Sequence, residues 1–329
     1  MDVTVSIVNH SARDALVALL DSLAAELDGP LDVEAVVLDN ASDDGSLEAV
    51  RERFPWARVI AQTHRAGFGA NHNRVIRETS GRYVYLLSPD ARVEPGSLVR
   101  LGAYMDTNPR VGAVAPRLRY PDGRAQPSAW RFPTPATALL GTFTLSRLGV
   151  DQSGGGDPRR VDWAMGAALL LRRAALDDVG LFDEGFFLYS EETDLCLRLA
   201  QAGWETHFLP AVTVVHAASS LRGDFPRERI AEEWRSRHRY WRKHHSPAGA
   251  RLAALATGAQ YAARAGVAGA LVRLGSRRFD ASFPERMREH ARRAFGRADG
   301  PGLRELAERW NEKHAPQSSR PSVRESIAR

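Results

Sequence analysis

The chain alternates short β-branched runs with longer stretches of helical spacing. Val3 to Val8 is a β-branched run of the kind that forms a buried strand. Arg13 to Leu27 repeats its leucines at helical intervals, with Ser11 a candidate N-cap. Val33 to Leu38 reads as a second strand, Ser46 to Phe54 as a short helix and Val59 to Ala61 as a short strand. Gly67 to Arg77 opens on glycines and continues as a helix. Tyr83 to Leu87 is a strand, Pro95 to Asn108 a helix and Val111 to Ala115 a strand. Such alternation predicts an α/β fold with a mostly parallel central sheet flanked by helices.

From Pro116 to Pro158 the rhythm breaks. The segment is rich in Pro, Gly, Ser and Thr, and Gly154-Gly155-Gly156 before Asp157-Pro158 is a loop signal. It is expected to be an insertion or lid, flexible without ligand. Val161 to Arg172 resumes as a strand and Arg173 to Val179 as a short helix. Asp183 to Tyr189 leads into an amphipathic helix headed by Glu191, Glu192 and Asp194, in which Leu195, Leu199 and Trp204 pack and Arg198 and Gln201 face outward. After His216 the character changes. Arg227 to His245, Ala248 to Leu274, Phe283 to Phe295 and Leu303 to Lys313 read as helices, and the tail from Ala315 as disordered. The expected division is an α/β domain over 1–220, a basic helical extension over 221–314 and a disordered tail over 315–329. There is no internal repeat.

Composition narrows the setting. Hydrophobic content of 43% is that of a globular protein. The single cysteine, Cys196, excludes a disulfide framework, points to a reducing compartment and sits at a core-packing position. The first residues have no basic n-region or cleavage pattern, so no signal peptide is expected. The most apolar stretch, Leu252 to Leu274, is interrupted by Arg264 and Arg273, which argues against a spanning helix. The net charge is +5, and the excess is concentrated after Leu221, which calls for an anionic partner. Arg235, Arg239, Arg242 and Lys243 interleaved with Trp234, Tyr240 and Trp241 suit an anionic membrane surface. A plain solvated helix is the alternative. No nucleic-acid-binding motif is present, and nucleic acid is not an expected partner.

Chemistry-bearing residues gather where strands end. Asp39 ends the second strand and is followed by Asn40, Ser42, Asp44 and Gly45. In a parallel α/β sheet the carboxyl ends of strands bind ligands, although such a cluster also satisfies its own backbone as an Asx turn. Gly67-Phe68-Gly69-Ala70-Asn71-His72-Asn73 offers close backbone approach and free helix amides to a phosphate or ribose. Ser88-Pro89-Asp90 and His216 end two further strands. Carboxylates and a histidine so placed can build a metal-assisted transfer site. Asp194 lies four residues before Arg198, within reach of an ion pair on one helix face.

Four segments in order carry a resemblance to a known family: Val3-Thr4-Val5-Ser6-Ile7-Val8-Asn9; Val36-Val37-Leu38-Asp39-Asn40-Ala41-Ser42-Asp43-Asp44-Gly45-Ser46; Leu86-Leu87-Ser88-Pro89-Asp90; and Glu191-Glu192-Thr193-Asp194 with His216. Over residues 3 to 245 the chain resembles glycosyltransferase family 2, in particular its bacterial rhamnosyltransferase-like branch. The resemblance implies the GT-A fold and inverting transfer from a nucleoside diphosphate sugar, dTDP-rhamnose or a UDP-sugar. It implies donor contacts at Asn9, Asp39, Asn40, Ser42, Gly67, Asn73, Ser88 and Asp90. It implies a general base at Glu192, with Glu191 or Asp194 as substitutes, and a Mg²⁺ or Mn²⁺ site at Asp90 and His216. Acceptor contacts fall at Trp163, Met165 and Gly166. The family's first acid of the Ser88-Pro89-Asp90 motif is a serine in this chain, which leaves Asp90 alone to bind metal. The implied acceptor is a glycan or a polyprenyl-linked sugar, with a small natural product as the alternative, or a catalytically weak nucleotide-sugar-binding protein. The expected setting is cytoplasmic, peripheral on the inner face of the membrane, and a homo-oligomer is an open arrangement.

Overall fold

The computed structural model describes residues 1–144, 150–218, 227–276, 279–297 and 300–315. The expected domain junction at 220/221 and nearly all of the expected tail lie outside these residues.

The β-branched runs form the strands β1 (Val3–Asn9), β2 (Val33–Asp39), β3 (Arg58–Ala61) and β4 (Tyr83–Leu87). They lie side by side in the order β3-β2-β1-β4, all parallel. Between them run α1 (Arg13–Leu27), α2 (Ser46–Arg53) and α3 (Phe68–Arg77). Along β4, Tyr83, Tyr85 and Leu87 pack into one core layer while Val84 and Leu86 pack into the other, so the strand is buried on both faces. The second half of the sheet is mixed. After β5 (Ala91–Val93), α4 (Ser97–Thr107) and β6 (Val111–Arg119), the order continues β4-β11-β6-β12-β5. Here β11 (Ala168–Arg172) is antiparallel to both neighbours, and β12 (Glu205–His216) is parallel to β6. The short helix α6 (Arg173–Val179) and the acidic helix α7 (Glu191–Gln201) stand between β11 and β12.

The irregular segment is more structured than its composition implies. β6 runs on to Arg119, and β7 (Ala125–Gln126), β8 (Ala129–Trp130) and the helix α5 (Pro135–Thr144) follow. Proline, threonine and glycine mask α5 locally; it forms against the long α9 (Pro247–Arg273), where Thr142 Oγ1 donates to Ala256 O at 2.8 Å. The strand expected over 161–172 is three: β9 (Arg159–Val161) on β12, β10 (Trp163–Ala164) on β8, and β11.

The C-terminal helices are α8 (Arg227–His244), α9, α10 (Phe283–Ala294) and α11 (Leu303–His314). α9 starts where Ser246 Oγ accepts from Gly249 N and Pro247 takes the first position. α8 corrects the membrane-facing expectation. Trp234, Tyr240 and Trp241 are 1–2% exposed and form a core with Phe186, Ile230, Ala253 and Ala294. Three of its cations are engaged within the protein, Arg239 and Lys243 with Asp183 at 3.1 and 2.8 Å and Arg235 with Glu305 at 2.7 Å, while Arg242 is exposed. Basic and aromatic content describes a helix without saying which face is covered. Among the described residues, no helix is long and apolar enough to cross a membrane.

Candidate active site

All five non-glycine residues with positive φ among the described residues flank the carboxyl edge of the sheet. Ser11 follows β1, Ala41 follows β2, Tyr189 and Ser190 precede α7, and Ala218 follows β12. Left-handed backbone costs a non-glycine residue about 1 kcal/mol or more and persists where surroundings impose it, commonly at functional sites. The strain therefore marks the same edge as the chemistry.

On the β1–β2 side, Asn9 Nδ2 donates to Asp39 Oδ1 at 2.9 Å and to Ser42 Oγ at 3.1 Å, and Ser42 N donates to Asp39 Oδ2 at 3.0 Å. Three expected donor contacts thus form one buried cluster, and Asn9 Oδ1 is left buried with no partner. Asn40 is used differently. Its amide brackets the loop after β3, accepting from Ala66 N at 2.8 Å and donating to Ala66 O at 3.0 Å. Asn73 donates to Phe182 O and Glu184 Oε1, both at 2.9 Å, and accepts from Phe182 N, so no N–H of its amide is left for a donor. Gly67 packs closely on protein: a Cβ there would lie 2.5 Å from Phe187 O, and that oxygen accepts from Phe68 N at the head of α3.

Asp90 and His216 meet. β5 and β12 pair antiparallel, with Ala91 opposite His216. His216 Nε2 lies 3.2 Å from Asp90 Oδ1, and Ser88 Oγ donates to the same oxygen at 2.5 Å. On the other side of the ring, His216 Nδ1 is 3.1 Å from Gln126 Oε1. Gln126 thus holds one edge of the ring while Nε2 faces the Asp90 carboxylate. Gln126 was not foreseeable from the sequence.

Glu191 and Glu192 open α7 behind the two left-handed residues. Glu191 is 2% exposed, and one oxygen of each carboxylate is buried with no hydrogen-bond partner. Desolvation pushes Glu192 up to about 6, against backbone N–H groups of Glu192, Gly166 and Thr193. Desolvation, then the charge of Glu192, raises Glu191 well above the carboxylate range. Gly166 therefore meets Glu192 through its backbone, and the next residue, Ala167, accepts from Ser88 N at 2.9 Å. This short link joins the acidic helix to the Ser88-Pro89-Asp90 turn. A Cβ on Gly166 would come within 3.0 Å of the Phe68 ring.

Asp194 is fully buried and bound to two cations and an imidazole: Arg198 Nε at 2.9 Å, Lys243 Nζ at 2.6 Å and His244 Nε2 at 2.7 Å. Burial alone would raise its pKa; these partners lower it instead. With both oxygens engaged it anchors α8 to α7 rather than offering a free base. Trp163 stacks obliquely on Trp130, centroids 4.7 Å apart, and donates to Arg131 O. The two rings stand on the paired strands β8 and β10, the latter beside α7, with Met165 following and packed on the sheet core.

A mixed α/β sheet that gathers Asp39, the Asp90–His216 pair and an acidic helix at its carboxyl edge is the arrangement of a glycosyltransferase of GT-A fold. Residues 4–180 match the model of the family described as "Glycosyl transferase family 2". The chain belongs to that family, within its rhamnosyltransferase-like branch, and is a glycosyltransferase. It is 32% identical over 264 residues to N-acetylglucosaminyl-diphospho-decaprenol L-rhamnosyltransferase of Mycobacterium tuberculosis, covering 73% of this chain and 83% of that one. It is 27% identical to rhamnosyltransferase WbbL of Escherichia coli over 66% of this chain and 83% of the relative. In three dimensions it resembles the mannosyltransferase PcManGT of Pyrobaculum calidifontis, solved with GDP-Man and Mn²⁺, with a TM-score of 0.59 at 20% identity over 90% of this chain and 86% of that one.

Proposed function

We propose that the protein is an inverting rhamnosyltransferase that moves rhamnose from a dTDP-linked donor to N-acetylglucosamine on a polyprenyl diphosphate. The reaction and acceptor follow the relative that is 32% identical. The observation that carries the mechanism is Glu192: a carboxylate with one bare buried oxygen, lifted to about 6, at the head of a helix beside a strained turn.

In this reading the donor nucleotide rests against Asn9, Asp39 and Ser42. Glu192 accepts the proton of the acceptor hydroxyl as that oxygen attacks the anomeric carbon from the face opposite the diphosphate. A base lifted to about 6 is ionised at neutral pH yet more basic than an ordinary carboxylate. Burial and the charge of Glu192 hold the pKa of Glu191 well above the carboxylate range, which disfavours a second charge beside the base. The Trp130–Trp163 pair offers an aromatic face for the acceptor sugar.

Asp90 and His216 suit a hard divalent cation, Mg²⁺ or Mn²⁺, whose remaining ligands the diphosphate would complete; the imidazole favours Mn²⁺. When bound, such an ion neutralises charge on the departing diphosphate.

A polyprenyl acceptor lies in a membrane. Of the seven exposed large apolar residues among those described, four gather at one helix: Leu252, Leu255 and Val267 on α9 and Leu274 just beyond it, with Arg251 and Arg273 exposed nearby. We assign to this face the contact with an anionic bilayer surface.

The test is transfer with a panel of dTDP- and UDP-sugars to a short polyprenyl-diphospho-N-acetylglucosamine. Transfer from dTDP-rhamnose alone, with inversion at the anomeric carbon, is the expected result. Transfer only to a soluble aglycone, or donor binding without turnover, would overturn the reading.

A further inference from the structure

The helix α11 lies outside the stretch matched by the family, yet it touches the donor edge. Arg65 sits in the loop between β3 and α3, and β3 ends beside β2 with Ala61 opposite Asp39. The next residue, Ala66, is bracketed by the Asn40 amide. On its outer side the loop is held by α11. Asn311 Oδ1 accepts from Arg65 N at 2.6 Å, and Asn311 Nδ2 donates to Arg65 O at 3.0 Å. This is a two-point clamp across 246 residues of sequence.

The guanidinium of Arg65 lies over the Trp310 ring, 4.2 Å from its centroid. The other neighbour of that ring is His314, stacked at 4.0 Å and 17°. Trp310 is thus the middle plate of a three-layer stack. Arg65 Nε is buried with no hydrogen-bond partner, and the guanidinium has no carboxylate within ion-pair distance among the described residues. It is close enough to His10, at the end of β1, that its charge helps burial to lower that imidazole's pKa. His10 Nδ1 in turn lies 3.1 Å from Asn40 O. A cation held by backbone clamp and ring stack, without a carboxylate partner, is preorganised for an anion or a carbonyl at the pocket rim.

α11 is itself firmly placed. Glu305 binds Arg235 at 2.7 Å and caps Gly302 N at 2.7 Å. Arg304 donates to Gly185 O at 2.7 Å, in the turn that leads to the acidic helix.

We propose that α11 completes the donor site, with Trp310 and Asn311 as positioning residues that present Arg65 to the nucleotide diphosphate of the donor. The assignment rests on the donor nucleotide lying at the Asn9–Asp39–Ser42 cluster. Binding of dTDP to the wild-type full chain, measured by calorimetry with Mn²⁺ present, tests that premise separately.

With the premise met, Arg65→Ala, Trp310→Ala and Asn311→Ala should each raise the dTDP dissociation constant and the donor KM roughly 3- to 30-fold. Turnover at saturating donor and the acceptor KM should stay near wild type. Trp310→Phe keeps an aromatic face and should restore most of the affinity; Trp310→Leu keeps bulk without the face and should not. A folded Trp310→Ala, judged by thermal melting, that binds dTDP like wild type overturns the proposal. Equal loss in donor KM, acceptor KM and turnover also overturns it, because that pattern marks a merely structural helix.

Discussion

Lys243 Nζ lies 2.6 Å from Asp194 Oδ1, joining the C-terminal helix α8 to the acidic helix across 49 residues of sequence. His244 reaches the same oxygen at 2.7 Å, and Arg198 holds the other one. A buried carboxylate held by two cations, Arg198 and Lys243, leaves uncompensated charges when it is neutralised. Asp194→Asn should therefore destabilise the fold by about 3 kcal/mol, seen as a lower denaturation midpoint. The pKa of Asp194 is lowered in the fold, so its contribution is complete above the ordinary carboxylate range and drains away as pH falls through the lowered value. The gap between wild type and Asp194→Asn should accordingly narrow below about pH 4. An unchanged midpoint at neutral pH would deny the anchor.

The two adjacent glutamates should behave as opposites. Glu192→Gln should keep donor binding and lose about 10²–10⁴-fold in turnover. In the wild type, turnover should rise with pH through about 6 as Glu192 loses its proton. Burial and the charge of Glu192 favour the neutral form of Glu191, which Gln mimics, so Glu191→Gln should retain turnover within a few-fold. Between the ordinary carboxylate value and the raised one, the folded state binds more protons than the unfolded, and stability falls as pH rises. Glu191→Gln escapes that loss and should melt higher than wild type at neutral pH. An active Glu192→Gln enzyme beside a dead Glu191→Gln enzyme would reverse the roles.

Asp90→Ala and His216→Ala should each weaken binding of the dTDP-sugar when Mn²⁺ is present and leave the much weaker metal-free binding unaltered. Calorimetry with and without the ion measures both. Gln126→Leu should act in the same direction by a smaller factor, about 10-fold, because it holds the His216 ring rather than a ligand position. Full turnover in excess EDTA would remove the ion from the mechanism.

Sedimentation with anionic liposomes should separate the two C-terminal faces. Leu252→Glu combined with Leu255→Glu should abolish binding while leaving the melting temperature unchanged, since both side chains are about half exposed at 44% and 57%. Arg239→Glu should instead destabilise the protein, because Arg239 binds Asp183, which Lys243, the Gly185 N–H and Arg239 hold down to about 2 in spite of burial. Liposome binding that survives the double leucine change would dismiss the α9 face.

Much of this architecture was legible because the signals are local. The β-branched runs at Val3 and Val33 and the leucine spacing of Arg13–Leu27 need no tertiary information, and the C-terminal helices fell within a residue or two of their expected ends. The pairing of Asp90 with His216 followed from both ending strands at one edge of the sheet. What was not legible depends on distant partners. The amides of Asn40 and Asn73 resemble ligand contacts in sequence, but each is complementary to a peptide group, and the chain supplies one at Ala66 and at Phe182. The aromatics of α8 look like a membrane belt until Ala253 and Ala294 cover them. Arg65, Trp130 and Gln126 carry no local signal, because their roles exist only through Trp310, Trp163 and His216.

The contact of Gly67 with the Phe187 backbone bears on how this enzyme could be re-engineered. A Cβ at Gly67 would lie 2.8 Å from Phe187 Cα as well as 2.5 Å from its carbonyl oxygen, so two main chains touch where no side chain fits. The loop before α3 and the lead-in to the acidic helix are interlocking halves of one casting. Swapping the donor specificity of this protein by transplanting residues 62–73 from a relative would import a surface shaped to a different 182–190. Grafts that move both segments together should fold, whereas grafts of either alone should yield insoluble or inactive chimeras.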